Sequence, residues 1–431
     1  MSLAVAERRR ELSLPGRLGR FVLDNGLRVC VLENRVAPLV SAALWYRVGA
    51  RDELPHQYGA AHFLEHMMFR GAERFGPGEI DRLTSELGGS CNAFTSHDST
   101  VYTFRFSSDR WPIALELEAD RLSSLAIDQH AFERERRVIL EELSMYEDEP
   151  WDALDQDVSA RMYGGHPYGR PVLGTRESLE QMTPATLRDL MRAHYRTDNA
   201  VLILAGDVSI DEAVEACSPL AAIPAPVEAG RRRRLPSHRP PKSRRRVIRR
   251  HGELARLLVD LPAPTATDLQ HPVHRLAALV LGGGRSSRLH RGLVEDRRLC
   301  SWVSCDLSES EGPGVLTIAL EVLPGVEPER VEDELWRTLE ALATQPPSDE
   351  EILGCRRMAV ADWMFAHEHG HRQALAVGAG EASFGEGWAQ RSIEALVDSP
   401  DEEVRELAAK LGERGSVVGW SLPLHGAEAH D

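Results

Sequence analysis

The sequence predicts an α+β protein of two domains, and three observations support this fold class. The chain has 431 residues, enough for two to three domains at roughly 150 residues each. Short strand patterns and long helical patterns alternate irregularly, which favours a layered α+β fold over a doubly wound sheet. A proline- and arginine-rich stretch divides the chain. We therefore expect domains at residues 17–218 and 248–431, joined by a linker at 219–247.

The first half contains five clear local patterns. Asn25-Gly26 stands between two alternating runs, and this dipeptide is typical of a hairpin turn. Apolar residues recur at helical spacing in two longer segments. We therefore expect, in order, a hairpin at 21–32, a strand at 40–48, helices at 59–70 and 128–146, and a buried strand at 200–205.

The second half repeats this mixture after the dividing stretch. We expect a strand at 254–261, a helix around 274–281, a strand at 314–322 and helices from 328 onward. The dividing stretch is rich in proline, and residues 231–250 are basic without an acidic residue. Such a segment is typical of a solvent-exposed, semi-rigid linker. A patch that binds an anionic partner is the alternative.

Composition excludes several classes of protein. Lys plus Arg number 51 against 67 Asp plus Glu, a net charge of −16 that argues against nucleic-acid binding. No apolar run approaches the roughly 18 residues that span a bilayer, so we expect no membrane segment. Six scattered cysteines without a C-x-x-C pair indicate reduced thiols and a cytoplasmic protein. The arginines near the start leave a mitochondrial presequence as a weaker alternative, against which Glu7 and Glu11 count.

The sequence His62-Phe-Leu-Glu65-His66 is the main candidate for chemistry. At about 100° per residue, all three polar side chains lie within a roughly 100° arc of one helix face. Two imidazoles one turn apart can reach one Zn²⁺, with Glu65 beside the metal as a base for its water. The pattern alone arises by chance in roughly one such sequence in ten, and a surface histidine pair is the alternative.

A catalytic zinc site needs a third protein ligand and an open position. Glu135 and Glu142 are two helical turns apart and share a face, whereas Glu141 points about 100° away from Glu142. These acids are therefore candidates for the third ligand. A solvated acidic helix face is the alternative.

The motif and its surroundings resemble the pitrilysin/insulinase family of zinc peptidases, closest to the branch of the mitochondrial processing peptidase and its bacterial relatives. Glu142 follows His66 by 76 positions (142 − 66), in the family's order. Further matches cover nearly the whole chain, more strongly in the first half. They are Leu23-Asp-Asn-Gly-Leu27, Val48-Gly-Ala-Arg-Asp-Glu53, Asn92-Ala-Phe-Thr-Ser96, His166-Pro-Tyr-Gly169 and Gly206-Asp-Val208.

The resemblance implies a set of roles for residues in this chain. It implies one Zn²⁺ bound by His62, His66 and Glu142, and two further residues of the catalytic site. Of these, Glu65 is the general base and Glu135 orients a ligand. The strand Asn92, Ala93, Phe94 and Thr95 is then the edge along which an extended peptide binds. The implied fold is two related domains, each a mainly antiparallel sheet packed by helices, together forming half of a clam shell.

The second half departs from the family pattern. Family members with a complete site carry an Arg and, seven residues later, a Tyr that help hold the substrate carbonyl. Val294 and Ser301 align with those positions, although a shifted alignment brings in Arg297 or Trp302. The departure predicts a heterodimer in which a homologous subunit without zinc supplies the Arg/Tyr pair. A homodimer is the alternative.

The leading functional hypothesis is a zinc endopeptidase that cleaves peptides or unfolded segments in an enclosed chamber. A non-catalytic core or scaffold subunit is the rival hypothesis, and a mitochondrial presequence-processing subunit is a third. Two other motifs are weaker evidence for a functional site. We expect His367 and His371 to lie in a solvent-facing segment, and Gly282-Gly-Gly284 to form a flexible loop rather than a phosphate loop.

Overall fold

A computed structural model gives the fold, and it describes Leu12 and residues 16–228, 232–250 and 252–423. The predictions that concern Glu7, Glu11 and residue 231 fall outside these residues. The chain forms two compact units, and neither is continuous in sequence. Unit 1 comprises the described parts of Met1–Leu143, Pro171–Arg234 and Asp362–Arg391. Unit 2 comprises those of Ser144–Arg170, Leu235–Ala361 and Ser392–Asp431.

Two sheets form the framework, one in each unit. The strands of unit 1 are β1 Arg17–Val22, β2 Arg28–Glu33, β3 Leu39–Tyr46, β4 Ser90–Thr95, β5 Thr100–Ser107 and β6 Ala200–Gly206. Those of unit 2 are β7 Arg245–Arg250, β8 Arg256–Ala263, β9 Cys300–Leu307, β10 Gly314–Val322 and β11 Val417–Leu422. The orders are β1-β2-β6-β3-β5-β4 and β7-β11-β8-β10-β9. Each sheet is antiparallel except for one parallel pair, β2 with β6 and β7 with β11.

Helices cover these sheets. The α-helices are α1 Ala60–Met67, α2 Glu79–Glu86, α3 Ile113–Ser124, α4 Gln129–Asp148, α5 Pro150–Tyr163, α6 Arg176–Gln181, α7 Pro184–His194, α8 Ile210–Ala216, α9 Ser218–Ala221, α10 His271–Gly282, α11 Pro328–Ala341, α12 Asp349–Ala366, α13 Gly370–Ala379, α14 Trp388–Asp398 and α15 Asp401–Lys410. Two π-helical segments, His290–Asp296 and Gly380–Phe384, and several 3₁₀ turns complete the described elements. No helix among the described residues is both long enough and apolar enough to span a bilayer.

The sheet of unit 1 is buried on both faces. One face packs with α1, α3, α4 and α7 in the main core. The other face, which includes Trp45 and Ile203, packs on α13 through Ala374 and Val377. The helix α13 belongs to the second half of the sequence, and at Gly378 a Cβ would lie 2.1 Å from Nε1 of Trp45. Only glycine therefore allows the helix to approach the sheet this closely.

Unit 2 has the complementary arrangement, with a helix from the first half of the sequence on its sheet. Leu154 and Val158 of α5 pack on Leu258 and Val417. On β8, Asp260 is buried and accepts a hydrogen bond of 2.6 Å from the hydroxyl of Thr317. Burial disfavours the charged carboxylate and raises the pKa of Asp260 to about 7.

The predicted α+β class with two mainly antiparallel sheets packed by helices is confirmed. The hairpin turn is present, with Gly26 at φ 89° between β1 and β2. Every predicted strand and helix exists, with ends shifted by a few residues. The boundaries 17–218, 219–247 and 248–431 stay a prediction.

Two local predictions are wrong. The first is the exposed linker at 219–247: its residues 245–247 begin the strand β7, and the Arg232 side chain is 12% exposed and lies 3.4 Å from a carboxylate oxygen of Asp52. A paired arginine can be buried because its partner carboxylates satisfy its charge. His367 does not face solvent: it is 1% exposed, its ring lies 3.9 Å from that of Trp363, and its Nδ1 is 2.7 Å from the Trp363 carbonyl. The predicted glycine loop at 282–284 begins one residue later than expected, because Gly282 is the last residue of α10, where a Cβ would lie 2.2 Å from the backbone of Cys305.

Candidate metal centre

The helix α1 is fixed at its start by a carboxylate from a preceding turn. Gly59 precedes α1 at φ 88°, where a Cβ would also meet the carbonyl oxygen of Leu173 at 2.4 Å. Glu53, 1% exposed, accepts hydrogen bonds from the backbone N–H groups of Gly59 at 3.0 Å and Ala61 at 2.8 Å. These bonds satisfy donors that a helix start otherwise leaves unpaired. They define where the helix begins and therefore how its face is oriented.

Aromatic packing brings α1 against α4. The rings of Phe63 and Phe132 are stacked with centroids 4.5 Å apart, and both side chains are fully buried. Glu135 and Glu142 follow Phe132 by three and ten positions, so they lie on the same face of α4. The contact of the two phenylalanines therefore directs both carboxylates toward the histidines of α1.

His62, His66 and Glu142 converge on one point. One ligand atom from each lies within 4.8 Å of the others. The Nε2 of His62 is 3.8 Å from Oε1 of Glu142, and the Nε2 of His66 is 3.4 Å from Oε2. Ligands of a tetrahedral zinc at about 2.0–2.2 Å are roughly 3.3–3.6 Å apart. The three side chains therefore fit a zinc ion with little movement and supply three of its four ligands.

Glu135 contacts His66 at Nδ1, the ring nitrogen that does not approach Glu142. Its carboxylate is 2% exposed, and its Oε1 lies 2.9 Å from Nδ1 of His66. Arg70 approaches the same carboxylate through Nη2 at 2.9 Å and Nε at 2.5 Å. Burial raises the pKa of Glu135, but the bonds from His66 and Arg70 outweigh it and lower that pKa overall. The charged carboxylate thus leaves the Nε2 of His66 for a metal.

The charges of the cluster suit a cation. Burial, together with the charge of His66, lowers the pKa of His62 to about 4. Burial also acts to lower the pKa of His66, but its bonds to Glu135 and Glu142 raise it to about 9. The two carboxylates therefore favour the positively charged form of His66 between them. A divalent ion in that place satisfies the same carboxylates and both imidazoles.

Glu65 lies beside this cluster. It is 8% exposed, and burial raises its pKa, while a hydrogen bond from Thr95 acts in the opposite direction. The hydroxyl of Thr95 donates to Oε2 of Glu65 at 2.5 Å. A buried carboxylate next to a metal position can exchange a proton with bound water.

The predicted substrate strand lies at the edge of its sheet. β4 is the last strand in the order, paired only with β5. Ser96 N–H donates to the Ser99 carbonyl at 2.8 Å across the turn. Because bonded and non-bonded pairs alternate in an antiparallel ladder, the backbone groups of Ala93 and Thr95 point away from β5. The Ala93 N–H accordingly meets its neighbour Asn92 at Oδ1, 2.9 Å away. The outer edge of β4 therefore carries backbone groups that can pair with an added strand.

The structure places His62, His66, Glu135 and Glu142 in one cluster, with Glu65 and Thr95 hydrogen-bonded to each other beside it, whereas Phe94 points to the opposite face of β4. Glu141 is exposed, as its angle to Glu142 predicts. Three contributions were missed: the Arg70 bond to Glu135, the Glu53 cap and the Thr95 hydroxyl. Arg70 stands four residues after His66, a helical spacing that was available as a clue. The other two depend on contacts that no local spacing encodes.

Unit 2 contains the residues that align with the missing Arg/Tyr pair. Ser301 donates from Oγ to Oε1 of Glu321 at 3.2 Å, and Val294 lies in the π-helical segment. Of the two side chains that a shifted alignment would bring in, Arg297 pairs with Glu334 at 2.8 Å. Trp302 packs on Trp151, with ring centroids 5.2 Å apart. Both are therefore engaged by neighbours in their own unit.

Comparison with known families agrees with this geometry. Residues 28–176 match the family described as Insulinase (Peptidase family M16), and residues 181–358 match the Peptidase M16 inactive domain. An uncharacterized zinc protease of Streptomyces coelicolor is 30% identical over 354 residues, which is 78% of this chain and 74% of that protein. The uncharacterized zinc protease YmxG of Bacillus subtilis is 31% identical over 69% of this chain and 72% of its own.

Solved structures share the fold. A protease from Helicobacter pylori superposes with a TM-score of 0.87 at 22% identity, over 95% of this chain and 100% of that one. A putative M16-like peptidase from Alicyclobacillus acidocaldarius gives a TM-score of 0.85 at 22% identity, over 96% and 100% of the two chains. With the family matches and the relatives named zinc proteases, these findings lead to one conclusion: the chain belongs to the insulinase family of peptidases, family M16.

Proposed function

We propose that the protein is a zinc-dependent endopeptidase that hydrolyses peptides or unfolded polypeptide segments. One observation carries this proposal: His62, His66 and Glu142 converge with Glu65 beside them, all within unit 1. The open edge of β4, which includes Thr95, lies against the same acid. A metal position, a base and a strand-binding edge are the three parts that peptide hydrolysis needs.

His62, His66 and Glu142 would hold the zinc, and Glu135 would fix the ring of His66. A bound zinc ion supplies Lewis acidity, lowering the pKa of water toward about 7 and polarising a carbonyl oxygen. Glu65 takes a proton from the attacking water and later delivers it to the leaving amine nitrogen. The carboxylate ends the cycle as it began, ionised.

The β4 edge supports a peptide substrate rather than a small molecule. Strand addition uses backbone N–H and C=O groups, which every peptide carries. It requires an extended segment, so folded domains are excluded and unfolded segments are admitted. We assign Asn92, Ala93, Phe94 and Thr95 to this contact, with the cleavage preference set by side-chain pockets.

We further propose that the chain is the catalytic subunit of a heterodimer whose homologous partner supplies an Arg/Tyr pair. Val294 and Ser301 at the aligned positions support this, as does the engagement of Arg297 and Trp302 within unit 2. If the purified chain alone cleaves peptides at the rate of the reconstituted pair, no second subunit is required. A homodimer is the alternative to the heterodimer.

A reducing, cytoplasmic location is the compartment we propose. All six cysteines lie among the described residues and are free thiols. Burial raises the pKa of Cys30, Cys217 and Cys300 to about 12, so these thiols resist oxidation. A mitochondrial matrix location has the same redox character and is the alternative.

The decisive variant is Glu65→Gln. The amide keeps the shape of the side chain but cannot take up a proton, so cleavage of a fluorogenic unfolded peptide should be lost while zinc content stays at one per chain. Glu141→Gln is the matched control, an exposed acid next to Glu142, and should retain both properties. Zinc removal by a chelator should abolish cleavage, and added zinc should restore it.

The rival is a scaffold subunit without catalysis. It predicts a zinc-loaded protein whose peptide cleavage is absent or unaffected by the chelator, alone and with its partner. Full activity in Glu65→Gln would remove this residue from the proposed role.

A further inference from the structure

The hydroxyl of Thr95 makes a contact that peptide binding by β4 does not require. Strand addition uses only the backbone of Thr95, yet its side chain donates a hydrogen bond of 2.5 Å to Oε2 of Glu65. Side chains alternate along β4, so Thr95 shares a face with Ala93, which packs against the main core beside α1. Phe94 points to the opposite face, where its ring meets that of Trp45 at 5.8 Å.

The donor is held firmly in position. Threonine is branched at Cβ, which restricts its first side-chain torsion. The turn that follows is tied down by two backbone bonds, Ala50 N–H to the Ser96 carbonyl and Arg51 N–H to the His97 carbonyl, both 3.1 Å. A Cβ at Gly49 would lie 2.3 Å from the Ser96 oxygen, so this close contact also depends on glycine. The end of β4, which carries the Thr95 hydroxyl, is therefore held in place by these contacts.

The Glu65 carboxylate, which accepts this hydrogen bond, needs its orientation to be restricted. Glu65 has three side-chain torsions, and it must take a proton from water and return it to the amine from the same place. A hydrogen bond to Oε2 anchors this oxygen, restricts the orientation of the carboxylate and leaves Oε1 for proton transfer. Holding a reacting group in its productive orientation can account for a large part of a rate.

We propose that Thr95 is a positioning residue for Glu65, in addition to any backbone contact with the substrate. This inference rests on the proposed function. It assigns two tasks to one residue: the backbone faces the peptide, and the hydroxyl orients the general base. Docking of the peptide on β4 is thereby coupled to the geometry of proton transfer.

The test compares two substitutions in the zinc-loaded full chain, with its partner subunit if activity requires one. Thr95→Val keeps the shape and the strand but removes the donor, and Thr95→Ser keeps the donor. We expect Thr95→Val to lower kcat by about 10- to 100-fold, the range for a hydrogen bond to a charged group. KM should stay within about twofold, because the backbone that binds the peptide is unchanged. Thr95→Ser should recover most of the lost kcat.

Thr103→Val is the matched control. This buried threonine lies on β5, and its hydroxyl donates to the Asn92 carbonyl at 3.2 Å, so its loss affects the strand pair without touching Glu65. We expect its kcat to remain within about twofold of wild type. Equal loss in Thr103→Val and Thr95→Val, or a raised KM with kcat retained in Thr95→Val, would mean that Thr95 only maintains the strand, and the proposal fails.

A second readout is independent of activity. In a crystal structure of zinc-loaded Thr95→Val, the Glu65 carboxylate should be rotated or occupy more than one conformer, with zinc content unchanged. A single, wild-type orientation overturns the positioning role. If the wild-type protein cleaves no peptide, the proposed function fails, and this structural comparison still decides the role of Thr95.

Discussion

Removing the carboxylate of Glu135 should weaken zinc binding without unfolding the protein. Glu135 does not belong to the three converging ligands, but it fixes the ring of His66 through Nδ1 at 2.9 Å. In Glu135→Ala the ring loses this acceptor and can rotate away from the metal position. In Glu135→Gln the amide oxygen can still accept, so the effect should be smaller.

The size of the effect follows from the contacts. Loss of a partner that orients a metal ligand costs about 10- to 100-fold in affinity, or about 1.4–2.7 kcal/mol. The His66 side chain is 21% exposed, so water can replace part of the lost bond. We therefore expect about 10- to 30-fold weaker zinc binding for Glu135→Ala and about 3- to 10-fold for Glu135→Gln. The Arg70 side chain is 43% exposed and can be solvated when its partner is removed, so folding should survive.

Competition of the protein with a fluorescent zinc chelator measures these affinities directly. Glu133→Ala is the control, a partly exposed acid on the same helix that pairs with Arg136 at 3.1 Å, and its zinc affinity should match that of the wild type. Thermal unfolding of the metal-free proteins checks that the fold is kept. Wild-type zinc affinity in Glu135→Ala would refute the idea that this acid orients His66.

Two further predictions concern stability. Burial raises the pKa of Asp260 to about 7 in the folded protein, against about 4 in the unfolded chain, so the contribution of Asp260 to stability is largest below about pH 4 and is lost as the pH rises to about 7. Asp260→Asn should therefore raise the free energy of unfolding by up to about 4 kcal/mol at pH 8 and hardly change it at pH 4. Urea unfolding between these pH values measures the change, with the exposed Asp306→Asn as the control. A gain in stability that does not depend on pH would contradict this prediction. Glu53→Ala should lower the melting temperature of the metal-free protein by several degrees, since two N–H groups at the start of α1 lose their acceptor at a cost of about 1–2 kcal/mol. An unchanged melting temperature would show that solvent caps α1 equally well.

Local patterns predicted those elements whose signal depends on neighbours in the chain. The Asn25-Gly26 turn, the amphipathic segment that became α4 and the buried run of β6 are all set by spacing and composition. The strands β5, β7, β9 and β11 were missed, as were the helices α2, α3 and α5–α9. The strand β11 at 417–422 is an example. Its residues lie in the middle of a sheet and are largely buried, so its apolar run lacks the alternation that marks a half-exposed strand.

The pairing of helices with sheets could not be predicted. α5 covers the sheet of unit 2, and α13 covers a face of the sheet of unit 1, each from the other half of the sequence. An apolar face specifies that a helix is buried but not against which partner. Likewise, a run of arginines suggests solvent until the acids that pair with Arg232 are known.

The sequence by itself determined the chemistry available at the site. Helical periodicity places His62, Glu65 and His66 on one face, and the same rule aligns Glu135 with Glu142, whatever the rest of the chain does. Only the tertiary structure decided that these two faces meet. The meeting depends on the stacked rings of Phe63 and Phe132 and on the burial around them, interactions between residues far apart in sequence that no local pattern encodes.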